Sequence, residues 1–103
     1  MSAPLVISIP HQLGREEATH RLKGGLTRAA ASLPVLQVDE ERWEGEHMDF
    51  RVRVLGQAAS GHIDVADEHV LVEVVLPWLL QRFADAAQNV IRKRGQLLLT
   101  KRD

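Results

Sequence analysis

Five histidines, at positions 11, 20, 47, 62 and 69, are the side chains of this 103-residue sequence best suited to move a proton or hold a metal. No two of them form His-x-x-x-His or His-Glu-x-x-His, the spacings that put two imidazoles on one turn of helix. Cysteine is absent, which excludes disulfides, thiolate nucleophiles and Cys-based zinc or iron–sulfur centres. No metal or cofactor is expected. His62 falls in a segment of alternating polarity, where Arg51 and Glu73 on neighbouring strands would flank it, and it reads as a surface ladder residue. His11 follows Pro10 in a loop and could line a groove or cap the next helix. Ser60-Gly61-His62 lacks the strand-to-helix turn of a nucleophile elbow. Gly24-Gly25 lies within helical periodicity, so it is no phosphate loop. Glu40 and Glu41 are adjacent in a predicted strand and point to opposite faces, so they do not converge on one substrate. These residues predict no enzyme.

The formal net charge of −1 makes no bulk case for nucleic acid. Its distribution is uneven. Asp39, Glu40, Glu41, Glu44, Glu46 and Asp49 cluster in the middle around Arg42, and Arg92, Lys93, Arg94, Lys101 and Arg102 cluster at the end. The plain reading is two solvated surfaces. The sharper one is a basic C-terminal helix, with Arg92, Lys93 and Arg94 touching an anionic partner or surface. Leu76-Pro77-Trp78-Leu79-Leu80 is the most unusual local run. It predicts a buried helix start, with the alternative that Trp78 reaches an apolar partner or ligand, since indole suits wet–dry boundaries. Tyrosine is absent and Phe50 and Phe83 are both expected in the core, which leaves no aromatic platform for a nucleic acid.

The elements that must position these residues follow from periodicity. At 103 residues the chain suits one domain, with a core over about residues 5–94 and a basic C-terminal end. Residues 5–9 are β-rich and Pro10 stops them. Ala18, Leu22, Leu26 and Ala29/Ala30 predict an amphipathic helix over 15–32, with Gly14 as N-cap. Gly24 and Gly25 mark close packing or a local break. Met48, Phe50, Val52 and Val54, then Ile63 and Val65, then Val70, Val72 and Val74 alternate with more polar neighbours, as strands with one buried face do. Turns at Gly45-Glu46, Gly56-Gln57 and Asp67-Glu68 join them. The implied pairs are Trp43 with Met48, Phe50 with Ile63, Met48 with Val65, and Ile63 with Val72. The strand before Gly45 has Glu41 and Asp39 on its buried-face parity, so its early half should bulge or leave the sheet. A last helix starts at Pro77 and runs to about 94, or through Gly95, with Leu79/Leu80, Phe83, Ala87 and Val90/Ile91 as its stripe.

The order is β-α-β-β-β-β-α, an α+β fold with two helices packed on one face of an antiparallel sheet. Gly61 falls on the covered face, where it lets a helix approach. Rows of Glu40-Arg51-His62-Glu73, Arg42-Asp49-Asp64-Leu71 and Val38-Arg53-Ser60-Val75 are expected on the open face. That face is either solvated or used to pair with a second copy, with Arg51, His62, Leu71, Glu73 and Val75 as its candidate contacts. No apolar run approaches the ~20 residues of a membrane span. Met-Ser-Ala-Pro does not open like a secretory signal, and a cytoplasmic location is expected.

Residues 7–18, with His11-Gln12-Leu13-Gly14-Arg15-Glu16-Glu17-Ala18 at their centre, resemble the opening of the small bacterial polyhydroxyalkanoic acid system family of the granule region. There a short strand runs into His-x-Leu-Gly-x-x-Glu-Ala. Trp43-Glu44-Gly45, the Phe50 strand, Gly61-His62-Ile63-Asp64-Val65 and Val72-Glu73-Val74 extend the similarity over about residues 5–94. The resemblance implies a role near polyester storage granules, with a granule protein or the granule surface as partner, and brings no catalytic residues with it. Granule-coating phasins are helical, whereas this chain is rich in strand pattern. The second expectation is a small domain that holds an acyl-type apolar ligand between sheet and helices.

Overall fold

The computed structural model describes residues 4–100. In chain order they form β1 (Leu5–Pro10), α1 (Arg15–Leu22), α2 (Gly25–Ser32), β2 (Leu36–Glu44), β3 (His47–Val54), β4 (Gln57–Val65), β5 (His69–Val75), a 3-10 helix (Trp78–Phe83) and α3 (Ala84–Leu99). Lys101 and Arg102 of the basic cluster lie outside the described residues.

The five strands make one antiparallel sheet in the order β1-β5-β4-β3-β2. Side chains at alternate positions gather on one face, and Ile7, Ile9, Met48, Phe50, Val52, Val65, Val70, Val72 and Val74 are buried there. Ile63 packs against the same core. The helices cover this face. α3 lies along β1, α2 along β2, and α1 sits between them against α3 and β4. Leu99 and Leu80 close the core from the helical side. The expected α+β architecture is present.

The expected first helix is two. Lys23 leaves the helical region and Gly24 adopts a left-handed φ of 77°, so the chain turns and restarts at Gly25. The expected last helix also differs. Pro77 stays extended as an N-cap, Trp78–Phe83 form a 3-10 helix, and α3 then runs through Gly95 to Leu99. Gly95 serves packing here. A Cβ at this position would stand 2.5 Å from Ile9 Cδ1, so the glycine lets α3 lie close on β1. Gly61 makes room for neighbouring strands and not, as expected, for a helix. A Cβ there would overlap the Glu73 carbonyl and stand 2.7 Å from Phe50 Cζ.

Two of the three turns form as expected. Gly45 has φ 60°, as the first position of a type II′ turn needs, and Trp43 pairs with Met48. Ala66 N–H donates to the His69 carbonyl around Asp67-Glu68, and Ile63 pairs with Val72. The turn at Gly56-Gln57 is corrected. Val54 pairs with Gln57, so the turn residues are Leu55 and Gly56, at φ 54° and 80°. Two positive φ values mark a type I′ turn, whose twist matches the flanking strands. The register therefore moves by two residues, and Phe50 faces Gly61 while Met48 faces Ile63. A shift of two keeps every side chain on its own face.

The bulge in β2 falls between Val38 and Glu40. It removes Asp39 from the ladder and turns Val38 inward beside Leu36, opposite Val52 and Val54. Val38 was expected on the open face. Asp39 instead accepts two 3.0 Å hydrogen bonds from the Arg53 guanidinium.

Candidate functional site

Three groups of polar or exposed side chains are candidates for function, and the first ties the chain's opening loop to the sheet. His11 is buried. Its backbone N–H donates to the Glu68 carbonyl at 2.9 Å. Its Nδ1 accepts from the Leu13 N–H at 3.2 Å, so the ring proton sits on Nε2, which donates to the Ala66 carbonyl at 2.9 Å. Both ring nitrogens are used by backbone, and none is left for a substrate. Arg15 Nε donates to Asp67 at 3.0 Å over the same hairpin, which holds the Asp67 carboxyl below its ordinary range. His11 is thus a structural clamp between the start of α1 and the β4–β5 turn.

The second group lies on the open sheet face. The corrected register produces rows that differ from those expected. Val6, Glu73, His62, Asp49 and Arg42 follow one another across five strands, as do Ser8, Leu71, Asp64, His47 and Glu44. A third row runs Val75, Ser60, Arg51, Glu40. His62 keeps Glu73 as neighbour, with Nε2 3.3 Å from Oε2, and has Asp49 where Arg51 was expected. His47 takes the central role that the sequence pattern did not assign. Its Nδ1 stands 2.6 Å from Asp64 Oδ1 and its Nε2 stands 3.1 Å from Asp49 Oδ1. An imidazole donates from both nitrogens only as the cation, so the hydrogen bonds to Asp64 first and Asp49 second raise its pKa above the ordinary histidine value. The His47 and His62 rings stack at 5.6 Å. Among the described residues no three such side chains are arranged to hold a metal ion. Leu71 is half-buried and Val75 exposed at the β5 side of this face, while Arg51 makes no ion pair among the described residues.

Glu41 explains an acidic residue on the covered face. Its carboxylate accepts from the Gly24 N–H and from the Trp43 indole, each at 2.9 Å. It thereby caps the start of α2, where no side chain of the helix itself does so, and anchors the half-buried Trp43.

The third group is the outer side of the 3-10 helix and α3. The expectation that Leu76–Leu80 starts a buried helix holds for Leu76 and Leu80 alone. Trp78 is 77% exposed, and Phe83, expected in the core, is 49% exposed. Leu79 and Val90 of the expected stripe are also exposed. The reason is the change of pitch. A 3-10 helix stacks residues three apart, so Leu80 faces the core while the columns that begin at Trp78 and Leu79 turn away from it, and Phe83, in the Leu80 column, is exposed where the pitch changes to that of α3. In α3 the inner line is Ala84, Ile91, Gly95 and Leu98, packed against the core or neighbouring helix. Arg92 and Lys93 point outward and make no ion pair among the described residues, and Arg94 reaches Ser32 at 3.4 Å.

The layer between sheet and helices is filled by Ile7, Ile9, Met48, Phe50 and Leu99. Two depressions are found elsewhere. One, of about 490 Å³, opens on the outer side of α3 beside Arg92, Lys93 and Leu97. The other lies over the loop into α1.

These features define a small α+β domain, an antiparallel sheet roofed by helices on one side, with surface ion-pair ladders and a partly apolar outer helix. A family model described as "Putative polyhydroxyalkanoic acid system protein" matches residues 5–99, and the chain belongs to that family. No curated protein matches it. No helix among the described residues is long and apolar enough to cross a membrane.

Proposed function

We propose that this chain is a non-enzymatic accessory protein of the polyhydroxyalkanoate system, which works in the cytoplasm by contact with a granule protein or the granule surface. The observation that carries the reading is Trp78, an indole left 77% exposed beside Leu79 and Phe83 at the head of a basic helix. Burying an aromatic side chain stabilises a protein by a few kcal/mol. A tryptophan kept in water forgoes that gain, which a binding partner would restore. Membership in the family supplies the granule context. The polar groups support contact over catalysis, because His11 is spent on backbone carbonyl and amide groups and His47 on two carboxylates. The acyl-ligand reading draws no support from the filled layer between sheet and helices.

Co-sedimentation with native granules tests the proposal. The protein is expected to pellet with the granules, and Trp78→Ala is expected to weaken that association without unfolding the chain. A protein that stays wholly in the supernatant argues against it.

A further inference from the structure

The outer side of the C-terminal helix is built in a way that narrows the partner. In α3, Ala86, Val90, Lys93 and Leu97 stand at i, i+4, i+7 and i+11 and form one stripe opposite the line that meets the core. The stripe continues backwards. Arg82 precedes Ala86 by four residues, and Leu79 precedes Arg82 by three, the repeat of the 3-10 helix that contains both. Trp78 and Phe83 flank this line. Leu97 is 68% exposed and Val90 is exposed as well, although each could have been polar at no cost to the core. Between Trp78 and Leu99 the charges are Arg82, Arg92, Lys93 and Arg94 against Asp85 alone. Asp39, Glu40, Glu41, Glu44, Glu46 and Asp49 gather on the β2–β3 hairpin, with Arg42, Arg51 and Arg53 among them, at the opposite edge of the sheet from α3.

We infer that this face lies flat on an anionic lipid–water interface. A line of apolar residues that also carries the cations Arg82 and Lys93, with an aromatic at one end, suits a helix that rests in the plane of such an interface, the long basic side chains reaching up to the headgroups. Trp78, Leu79, Phe83, Val90 and Leu97 enter the acyl boundary, and Arg82, Arg92, Lys93 and Arg94 meet the headgroups. Arg92, Lys93 and Leu97 border the open depression on this side of α3, which sets two cations next to an apolar side chain. The charge separation across the molecule orients it, because the acidic hairpin is repelled while α3 is drawn down. The acidic edge of a second copy would match the cations but would leave the apolar line in water. The inference rests on the reading that the chain acts by surface contact, and names the chemistry of that surface.

Vesicle flotation tests it. The full chain is expected to float with vesicles of mixed phosphatidylglycerol and phosphatidylcholine, to float far less with pure phosphatidylcholine, and to shift its indole emission to the blue. Trp78→Phe should remove most of that shift. The pair Trp78→Ala with Phe83→Ala should lower binding by about tenfold or more. Arg92→Glu with Lys93→Glu should lower it at least as much. All four positions are exposed, so circular dichroism should show unchanged folds. Absence of binding to phosphatidylglycerol vesicles, or binding that neither pair weakens, overturns the inference. Retention on native granules without vesicle binding overturns it too, and points to a protein partner while leaving the accessory role intact. Loss of both defeats the accessory role as well.

Discussion

His47 shows how much a single side chain depends on neighbours that are distant in sequence. Asp64 approaches one ring nitrogen and Asp49 the other, and together they favour the imidazolium. The folded-state pKa therefore lies above the value of 6.5 expected in the unfolded chain. Stability from this group is fully present below that value and is lost as pH rises through the folded one. The urea midpoint of the wild type should accordingly fall between about pH 6 and about pH 8 by more than that of His47→Gln. Equal slopes for the two proteins would show that the clamp contributes nothing. His47 is well exposed, so the difference will be small and will shrink with added salt. At this scale the sequence was a partial guide. His62 was placed beside Glu73 correctly, whereas His47 carried no signal, because its partners are set by a register that the alternation of Met48, Phe50 and Val52 leaves open.

Two elements carry constraints that mutation can expose. The β3–β4 turn holds Leu55 at φ 54°, a conformation that costs a non-glycine residue about 1–2 kcal/mol. Its side chain is 63% exposed and contributes little to the core. Leu55→Asn should therefore stabilise the protein by up to about 1 kcal/mol, read as a higher urea midpoint with an unchanged slope. A lower midpoint would mean that Leu55 makes contacts worth more than its strain. Gly61 is the opposite case. Its absent Cβ would meet the Glu73 carbonyl, Phe50 and the Val74 Cα, two of them backbone atoms and the third on an aromatic ring. Gly61→Ala should cost at least about 2–3 kcal/mol and disturb the β4–β5 ladder, which amide exchange on Glu73 and Val74 would report. An alanine variant as stable as the wild type would mean that the sheet can open there. The helical breaks belong to this scale too. Gly24-Gly25 announced an interruption, and Glu41 completes it by capping the restart from across the sheet.

At the scale of the whole molecule, both ends of the chain close one core. β1 pairs with β5 and lies under α3, so Ile7 and Ile9 touch elements that begin sixty or more residues later. Ile7→Ala should destabilise the protein by about 2–5 kcal/mol. Unfolding of that variant should still be a single transition, with Trp43 fluorescence and far-ultraviolet dichroism coincident. Separate transitions would divide the fold into a meander and a docked β1–α3 layer. The same layout sets acidic β2 and basic α3 on opposite edges, a polarity that the net charge of −1 hides.

The sequence alone determined which side chains of β3, β4 and β5 share a face. Period two assigned Met48, Phe50, Val52, Ile63 and Val72 to the covered side, and the sequence order of strands and helical segments, the β2 bulge and the family followed from local pattern. It could not choose between registers two residues apart, because both leave every side chain on the same face. The twist of the Leu55-Gly56 turn made that choice, and with it the partners of His47, His62 and Arg51. Nor could a run of apolar residues say where it points. Only packing against β1, together with the three-residue repeat of the 3-10 helix, turned Leu80 inward and left Trp78 and Leu79 in water.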